Sequence, residues 1–200
     1  MHLKSYSNYA RYHKKVHETM KKGQQSTSAI VRDVDPSTVR CPYCGGRMVV
    51  KPAGSLTHVK TKTDLLVCDN YPECDCYCSI YRKGNNKVRL KSTPANRKLR
   101  DLRREAHWYM NLLLDNKIFN TKDDLYWYFT DQASGNGLTQ NLHQNHVGEM
   151  EEYGCQKMIR KCIEVLYGNK NRIKHFKRFK DGYSNRETEL KEMLDEIETN

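Results

Sequence analysis

The sequence predicts an α+β protein, a small three-stranded antiparallel sheet pinned by cysteines and packed with a helical region of about three helices. Three observations carry this. Two short cysteine loops, Cys41-Pro-Tyr-Cys44 and Cys68-Asp-Asn-Tyr-Pro-Glu-Cys74, are separated by a stretch the length of a β-hairpin. Around them the apolar residues come in short runs bounded by turn residues. Beyond residue 93 they recur instead at every third or fourth position, the helical period.

The N-terminal stretch spaces Leu3, Tyr6, Tyr9 or Ala10, His13, Val16 and Met20 as one face of a helix over 3–22, with Lys14, Lys15, Lys21 and Lys22 on other faces. Gly23 is its stop, and 24–28 reads as a polar linker. The first strand is expected at 47–51 and a turn at 52–55. The second strand is expected at 64–68 and the third at 75–81, with Lys83-Gly84-Asn85-Asn86 turning the chain out. Thr93 before Pro94 reads as an N-cap followed by proline at the first helical position. Leu99, Leu102, Ala106, Tyr109 or Met110 and Leu113 then continue a helix to about Asp115. Thr121 and Asp124 form a capping-box-like start with Asp in place of Glu, leading into Leu125, Tyr128 and Phe129. A loop at 134–137 precedes a third helix from about Glu149 to Tyr167, which buries Cys155, Met158, Ile159, Cys162, Ile163 and Leu166 and ends at Gly168. The tail splits by charge. Residues 169–180 are basic with Ile173, Phe176 and Phe179 interleaved, and 187–198 are acidic with Leu190, Met193, Leu194 and Ile197 in register. The expected organisation is 1–38 basic helix and linker, 39–92 ribbon, 93–168 helical region, and 169–200 charged tail.

Two close thiolates make one knuckle, and two knuckles joined by a hairpin close a four-sulfur tetrahedron. That is the arrangement of one structural Zn²⁺, with Zn–S near about 2.3 Å. The expected ligands are Cys41, Cys44, Cys68 and Cys74. A redox pair at Cys41 and Cys44 would need a βαβ setting, and no helix follows this C-x-x-C. Cys74, Cys76 and Cys78 alternate, so a strand would point all three to one face; Cys76 as fourth ligand is therefore the alternative. The spare thiols otherwise act as small hydrophobes.

The chain has 200 residues, 37% hydrophobic and 30% charged, with a formal net charge of +11. No run approaches the ~20 apolar residues of a membrane span. The first residues lack the apolar core of a secretory leader. Metal-type cysteine spacing fits a reducing compartment, so the expected location is cytoplasmic. Strong positive charge points to a polyanion as partner, nucleic acid first among them.

C-P-Y-C-G-G at 41–46, C-D-N-Y-P-E-C-D at 68–75, R-x-x-A-H at 103–107 and H-V-G-E-M at 146–150 followed by Cys155 together resemble the bacterial and phage "zinc-finger-containing domain" family, whose biochemical function is unassigned. The resemblance runs from about Cys41 to Leu166 and implies the same four cysteine ligands. Family members more usually carry small or aliphatic residues where this chain has Cys76 and Cys78. The ribbon alone is similar to the four-cysteine fingers of type IA DNA topoisomerases, which bind single-stranded DNA.

Four thiolates leave a metal no open position, so the site is expected to be structural and the protein not an enzyme. Asn141-Leu142-His143-Gln144-Asn145-His146 superficially resembles an HNH nuclease, but no hairpin surrounds it. His107 and His146 read as packing or capping residues. The expected function is non-catalytic nucleic-acid binding, DNA rather than RNA, by a phage- or mobile-element-type accessory protein. Lys87, Arg89 and Lys91 alternate along the ribbon's exit, and Arg97, Lys98, Arg100, Arg103 and Arg104 crowd the next helix start. Of these, Lys87, Arg89, Arg97, Arg100, Arg103 and Arg104 are the expected phosphate contacts. Tyr43 and Tyr71 are the expected stacking rings, with Tyr77 and Tyr81 nearby. The competing class is a zinc-ribbon module that docks on, or inhibits, a host protein.

Overall fold

The computed structural model describes residues 33–56, 62–84, 86–130, 146–175 and 186–199. The helix expected over 3–22, the loop at 134–137, His143 and the end of the basic stretch lie outside the described residues. Among the described residues the fold is α+β. Five short strands form one antiparallel sheet: β1 (Asp33–Val34), β2 (Met48–Lys51), β3 (Leu65–Cys68), β4 (Tyr77–Arg82) and β5 (Val88–Leu90), ordered β1-β5-β4-β3-β2.

The expected three-stranded ribbon is its β2-β3-β4 half. The chain that was expected merely to leave the ribbon turns back as β5, pairing Ile80 with Leu90, Tyr81 with Arg89 and Arg82 with Val88. The turn is closed where the Lys83 N–H meets the Lys87 carbonyl at 2.8 Å. Buried Val88 gives β5 a reason to fold back, as it joins a cluster of Cys41, Met48, Leu66, Cys68, Cys76, Cys78 and Ile80 on one face of the sheet. β1, from the stretch read as linker, then pairs Asp33 with Arg89. On the other face Leu56, Leu65 and Val67 form a smaller cluster with half-buried Tyr71 and Tyr77.

Four helices follow among the described residues: α1 (Arg97–Asp115), α2 (Lys122–Thr130), α3 (Glu152–Tyr167) and α4 (Arg186–Thr199). The expected cap of α1 is corrected. Asn96, not Thr93, is the N-cap, its Oδ1 accepting the Leu99 N–H at 3.0 Å. A residue before proline is pushed toward extended backbone, and the 93–95 stretch is used that way. Ala95 bridges Tyr77 of β4, while the Thr93 N–H donates to the Gly148 carbonyl at 3.0 Å. The capping box of α2 forms as expected: the Asp124 N–H donates to Thr121 Oγ1 at 3.0 Å and the Thr121 N–H to Asp124 Oδ2 at 3.1 Å. α3 begins at Glu152 rather than Glu149, because Val147–Glu149 is a separate 3-10 turn.

The helices enclose their own core, in which Leu99, Ala106, Trp108, Leu112, Leu113, Leu125, Phe129, Met158 and Leu166 are buried. Cys155 and Cys162 face this core, as the helical reading expected, whereas Ile159 and Ile163 are only partly buried. The acidic α4 is no loose tail, since Leu190 and Leu194 enter the same core. Asn116 ties down the start of the basic segment. Its Oδ1 accepts the N–H groups of Lys174 (2.6 Å) and His175 (3.0 Å), and its Nδ2 donates to the His175 carbonyl at 2.7 Å. Among the described residues, no helix is long and apolar enough to cross a membrane.

Candidate metal centre and the basic face

The first knuckle is a tight turn. The Cys41 N–H donates to the Gly46 carbonyl at 2.8 Å and the Gly45 N–H to the Cys41 carbonyl at 2.9 Å. Gly45 has φ of 71°, the left-handed region that glycine enters without steric cost. Gly46 is demanded by space: a Cβ there would lie 3.1 Å from Asn70 Nδ2, 3.3 Å from Cys44 Sγ and 3.6 Å from Cys68 Sγ. The second knuckle closes with Tyr71 N–H to Cys68 carbonyl at 3.0 Å and Cys74 N–H to Asn70 carbonyl at 2.9 Å. β2 and β3 fix the two knuckles relative to each other through the Met48–Cys68 pair and the Asp69 N–H on the Arg47 carbonyl at 2.9 Å.

The result is a four-sulfur cluster. Cys41 Sγ lies 3.5 Å from Cys74 Sγ and Cys44 Sγ 3.4 Å from Cys68 Sγ, with all four sulfurs within 4.8 Å of one another. A regular tetrahedron of thiolates about Zn²⁺ has edges of about 3.8 Å, so these sulfurs fit a metal ion of that kind. The Gly46 N–H, with the neighbouring Cys68 thiol, lowers Cys44 to about 6, and the Asn70 amide lies 3.5 Å from the same sulfur. Burial pushes Cys68 up to about 12 and raises Cys74. Donors are aimed at one sulfur while others are desolvated, a setting in which a divalent cation would balance the thiolates.

Cys76 sits beside Cys41, but buried in the apolar cluster, and burial strongly raises its thiol. Cys78 is buried deeper on the same face and pushed up to about 12. The cluster of ligand-compatible atoms contains Cys74 and neither of these. The turn before Cys74, held by Asn70, decides the geometry.

A model for a family described as a zinc-finger-containing domain matches residues 37–165, well over half of the chain. The chain belongs to that family. No curated protein and no solved structure matches it. The matched span includes both knuckles, all of α1 and α2, and most of α3, so the family domain comprises the ribbon and its helices together.

The motifs outside the cysteines have structural work. In His146–Met150 the Gly148 carbonyl receives Thr93 and the Met150 carbonyl receives Arg103, from Nε at 3.0 Å and Nη2 at 2.8 Å. A Cβ on Gly148 would meet Ser92 Cβ at 3.2 Å and Lys91 O at 3.4 Å, so the loop seats directly on the link between sheet and helix. His146 precedes the 3-10 turn and stacks on Tyr126 with ring centroids 6.1 Å apart. Burial, then the charges of Lys122, His146 and Arg103, lower His107 to about 4.

This geometry redraws the expected phosphate contacts. Arg103 is only 6% exposed and also donates to the Thr93 carbonyl at 2.9 Å and Thr93 Oγ1 at 2.7 Å. Its guanidinium is spent inside the fold. Arg100 stacks over the Tyr77 ring at 3.6 Å and binds Asp75. Arg104 pairs with Asp101, and exposed Arg97 lies 3.9 Å from the same carboxylate. Tyr71 packs into the small sheet cluster. Tyr43 is 44% exposed, yet partial burial raises its hydroxyl above the usual phenol range, with the Asn96 backbone at the start of α1 acting in the opposite sense. Lys87 and Arg89 fare differently. Lys87 is exposed, and Arg89 is held by Asp33 at 2.9 Å and 3.4 Å. The register places Lys83, Lys87, Arg89, Lys91 and Tyr81 on one face of the β4–β5 hairpin. Asp75 is the residue sequence reasoning missed; its place directly after the last knuckle cysteine was the available signal.

Proposed function

We propose that this is a zinc-stapled, non-catalytic nucleic-acid-binding protein, with DNA the favoured partner, and an accessory protein of the kind phages and mobile elements carry. The zinc holds shape, and the β4–β5 face does the binding. The observation that carries this reading is the gathering of Lys83, Lys87, Arg89 and Lys91 around exposed Tyr81, with Asp33 paired to Arg89 on the same face. Lysines and arginines that neutralise phosphates release counterions, which makes affinity fall steeply with salt. Arg97 and Arg104 lie on α1, outside this face, and are set aside together with Arg100 and Arg103.

Fluorescence anisotropy at two salt concentrations tests the proposal. Binding tighter than about 10⁻⁴ M, weakening as salt rises and weaker still in a Lys83→Ala/Lys87→Ala variant, is the expected result. The alternative reading is a protein-docking module. It draws support from an open, largely apolar groove of about 550 Å³ between α1, α3 and α4, lined by Leu102, Ile159, Ile163, Tyr167 and Met193. A wild type that binds neither DNA nor RNA would hand the function to that surface.

A further inference from the structure

Resting on the nucleic-acid reading above, we infer that Tyr81 is a base-stacking platform and that the β4–β5 face takes an unpaired, single-stranded segment. Tyr81 is 51% exposed near the end of a strand whose preceding residue, Ile80, is buried. The ring stands half in water among the cations of this face, with Lys91 over one π-face. Among the described residues, the other exposed rings are Tyr43 and Tyr153. Tyr43 belongs to the first knuckle and Tyr153 to α3, so neither is part of the β4–β5 hairpin.

The neighbours of Tyr81 are those a stacked nucleotide needs. Lys91 Nζ rests 4.0 Å from the ring centroid. Arg89 is the direct cross-strand partner of Tyr81, its guanidinium fixed by both oxygens of Asp33. A cation over an exposed ring is held weakly, and a base gains more from the same π-face. Lys91 can therefore swing off the ring onto the phosphate of the nucleotide that replaces it. Arg89 cannot swing as freely, and Asp33 offsets its charge, so the lysines carry most of the phosphate contact. A duplex could meet the four cations, but its paired bases offer the ring no free face.

The probes are an oligodeoxythymidylate of about 12 nucleotides, the matching oligouridylate, and a DNA duplex of equal phosphate count. They would be titrated by anisotropy against the full chain and the variants Tyr81→Phe and Tyr81→Ala, each checked for native circular dichroism and metal content. The expected result is a loss of about 5- to 150-fold on single strands for Tyr81→Ala, little loss for Tyr81→Phe, and a change under about twofold on the duplex. The ratio between the deoxy and ribo probes separates DNA from RNA, and a loss on either supports the stack. Tyr81→Ala binding both single strands like the wild type, or losing equally on the duplex, overturns the inference while leaving nucleic-acid binding intact. A wild type that binds none of the three probes removes the broader reading instead.

Discussion

Arg100 and Asp75 join the ribbon to the helices. Arg100 Nη2 donates to Asp75 Oδ2 at 3.1 Å, and Nη1 reaches the Asp75 carbonyl at 2.6 Å and the Ala95 carbonyl at 2.5 Å. The other carboxylate oxygen of Asp75 accepts the Arg97 N–H at 3.0 Å, in the first turn of α1. Sheet and helices keep separate apolar cores, so this polar clamp does what a shared core would do elsewhere. Asp75 follows the metal-site residue Cys74 directly, which places the clamp one residue from the cluster.

Breaking the clamp should therefore loosen the join more than either core. Asp75→Ala and Arg100→Ala are each expected to cost about 1.5–3 kcal/mol, the range for hydrogen bonds to charged groups. The double variant should cost less than the sum, because both single changes remove the same contact. Urea unfolding of the four proteins in a double-mutant cycle measures this. Strict additivity would mean that the two residues do not act on one another.

Metal loss should be felt in α1 as well as in the ribbon. One Zn²⁺ per chain is expected by elemental analysis, and Cys41→Ser or Cys74→Ser should release it. Cys76→Ala should keep it, since the four sulfurs gathered within 4.8 Å of one another include that of Cys74 and not that of Cys76. Because metal-binding free energy is folding free energy in such sites, chelation should expose the amides of β2 and β3 to hydrogen exchange. The first turn of α1 should follow, through Asp75. Full metal content in Cys74→Ser together with loss in Cys76→Ala would assign the fourth ligand the other way.

Local signals were legible in the sequence, and signals that depend on distant partners were not. The knuckles are local: turn residues, glycines and cysteine spacing all act within six or seven positions. The Thr121–Asp124 box is local too, and it formed as read. Thr93 carries an equally good local cap signal, but the loop at 146–150 and strand β4 compete for the same backbone, and they win. β5 has three residues and one buried side chain, too little to show a period of two. The arginines of α1 looked alike by charge. Which one faces Met150, and which faces Asp75, is set by helix phase and by the docking of α3 against α1, and neither is written in those residues.

Arg103 is the test of that distinction. Its guanidinium spans the Thr93 and Met150 carbonyls with little exposure to water. Arg103→Lys keeps the charge but cannot reproduce the planar fork, and is expected to destabilise the fold by about 2–4 kcal/mol. Arg103→Gln, which removes the charge, should bind nucleic acid with an unchanged salt slope at a temperature where it is folded. Lys83→Ala/Lys87→Ala should show the opposite pattern, with stability held and the slope reduced by about two units. A reduced slope in Arg103→Gln would return this residue to the binding surface.

His107 predicts an acid limb in stability. Burial is the main cause that lowers it to about 4 in the fold, against about 6.5 in an unfolded chain. Between these values the unfolded state takes up a proton that the native state refuses, so stability falls as pH drops from about 6.5 and levels off below about 4. Full expression of the shift would be worth about 3 kcal/mol. Acid also protonates the cysteine cluster, so the informative quantity is a difference between two proteins that share the cluster. Urea midpoints for the wild type and His107→Gln, followed from pH 7 to pH 4, should shift against the wild type as the pH falls, because only the wild type carries this penalty. Parallel curves across that window would mean that His107 titrates alike in both states, and the acid limb would then belong to the cysteines alone.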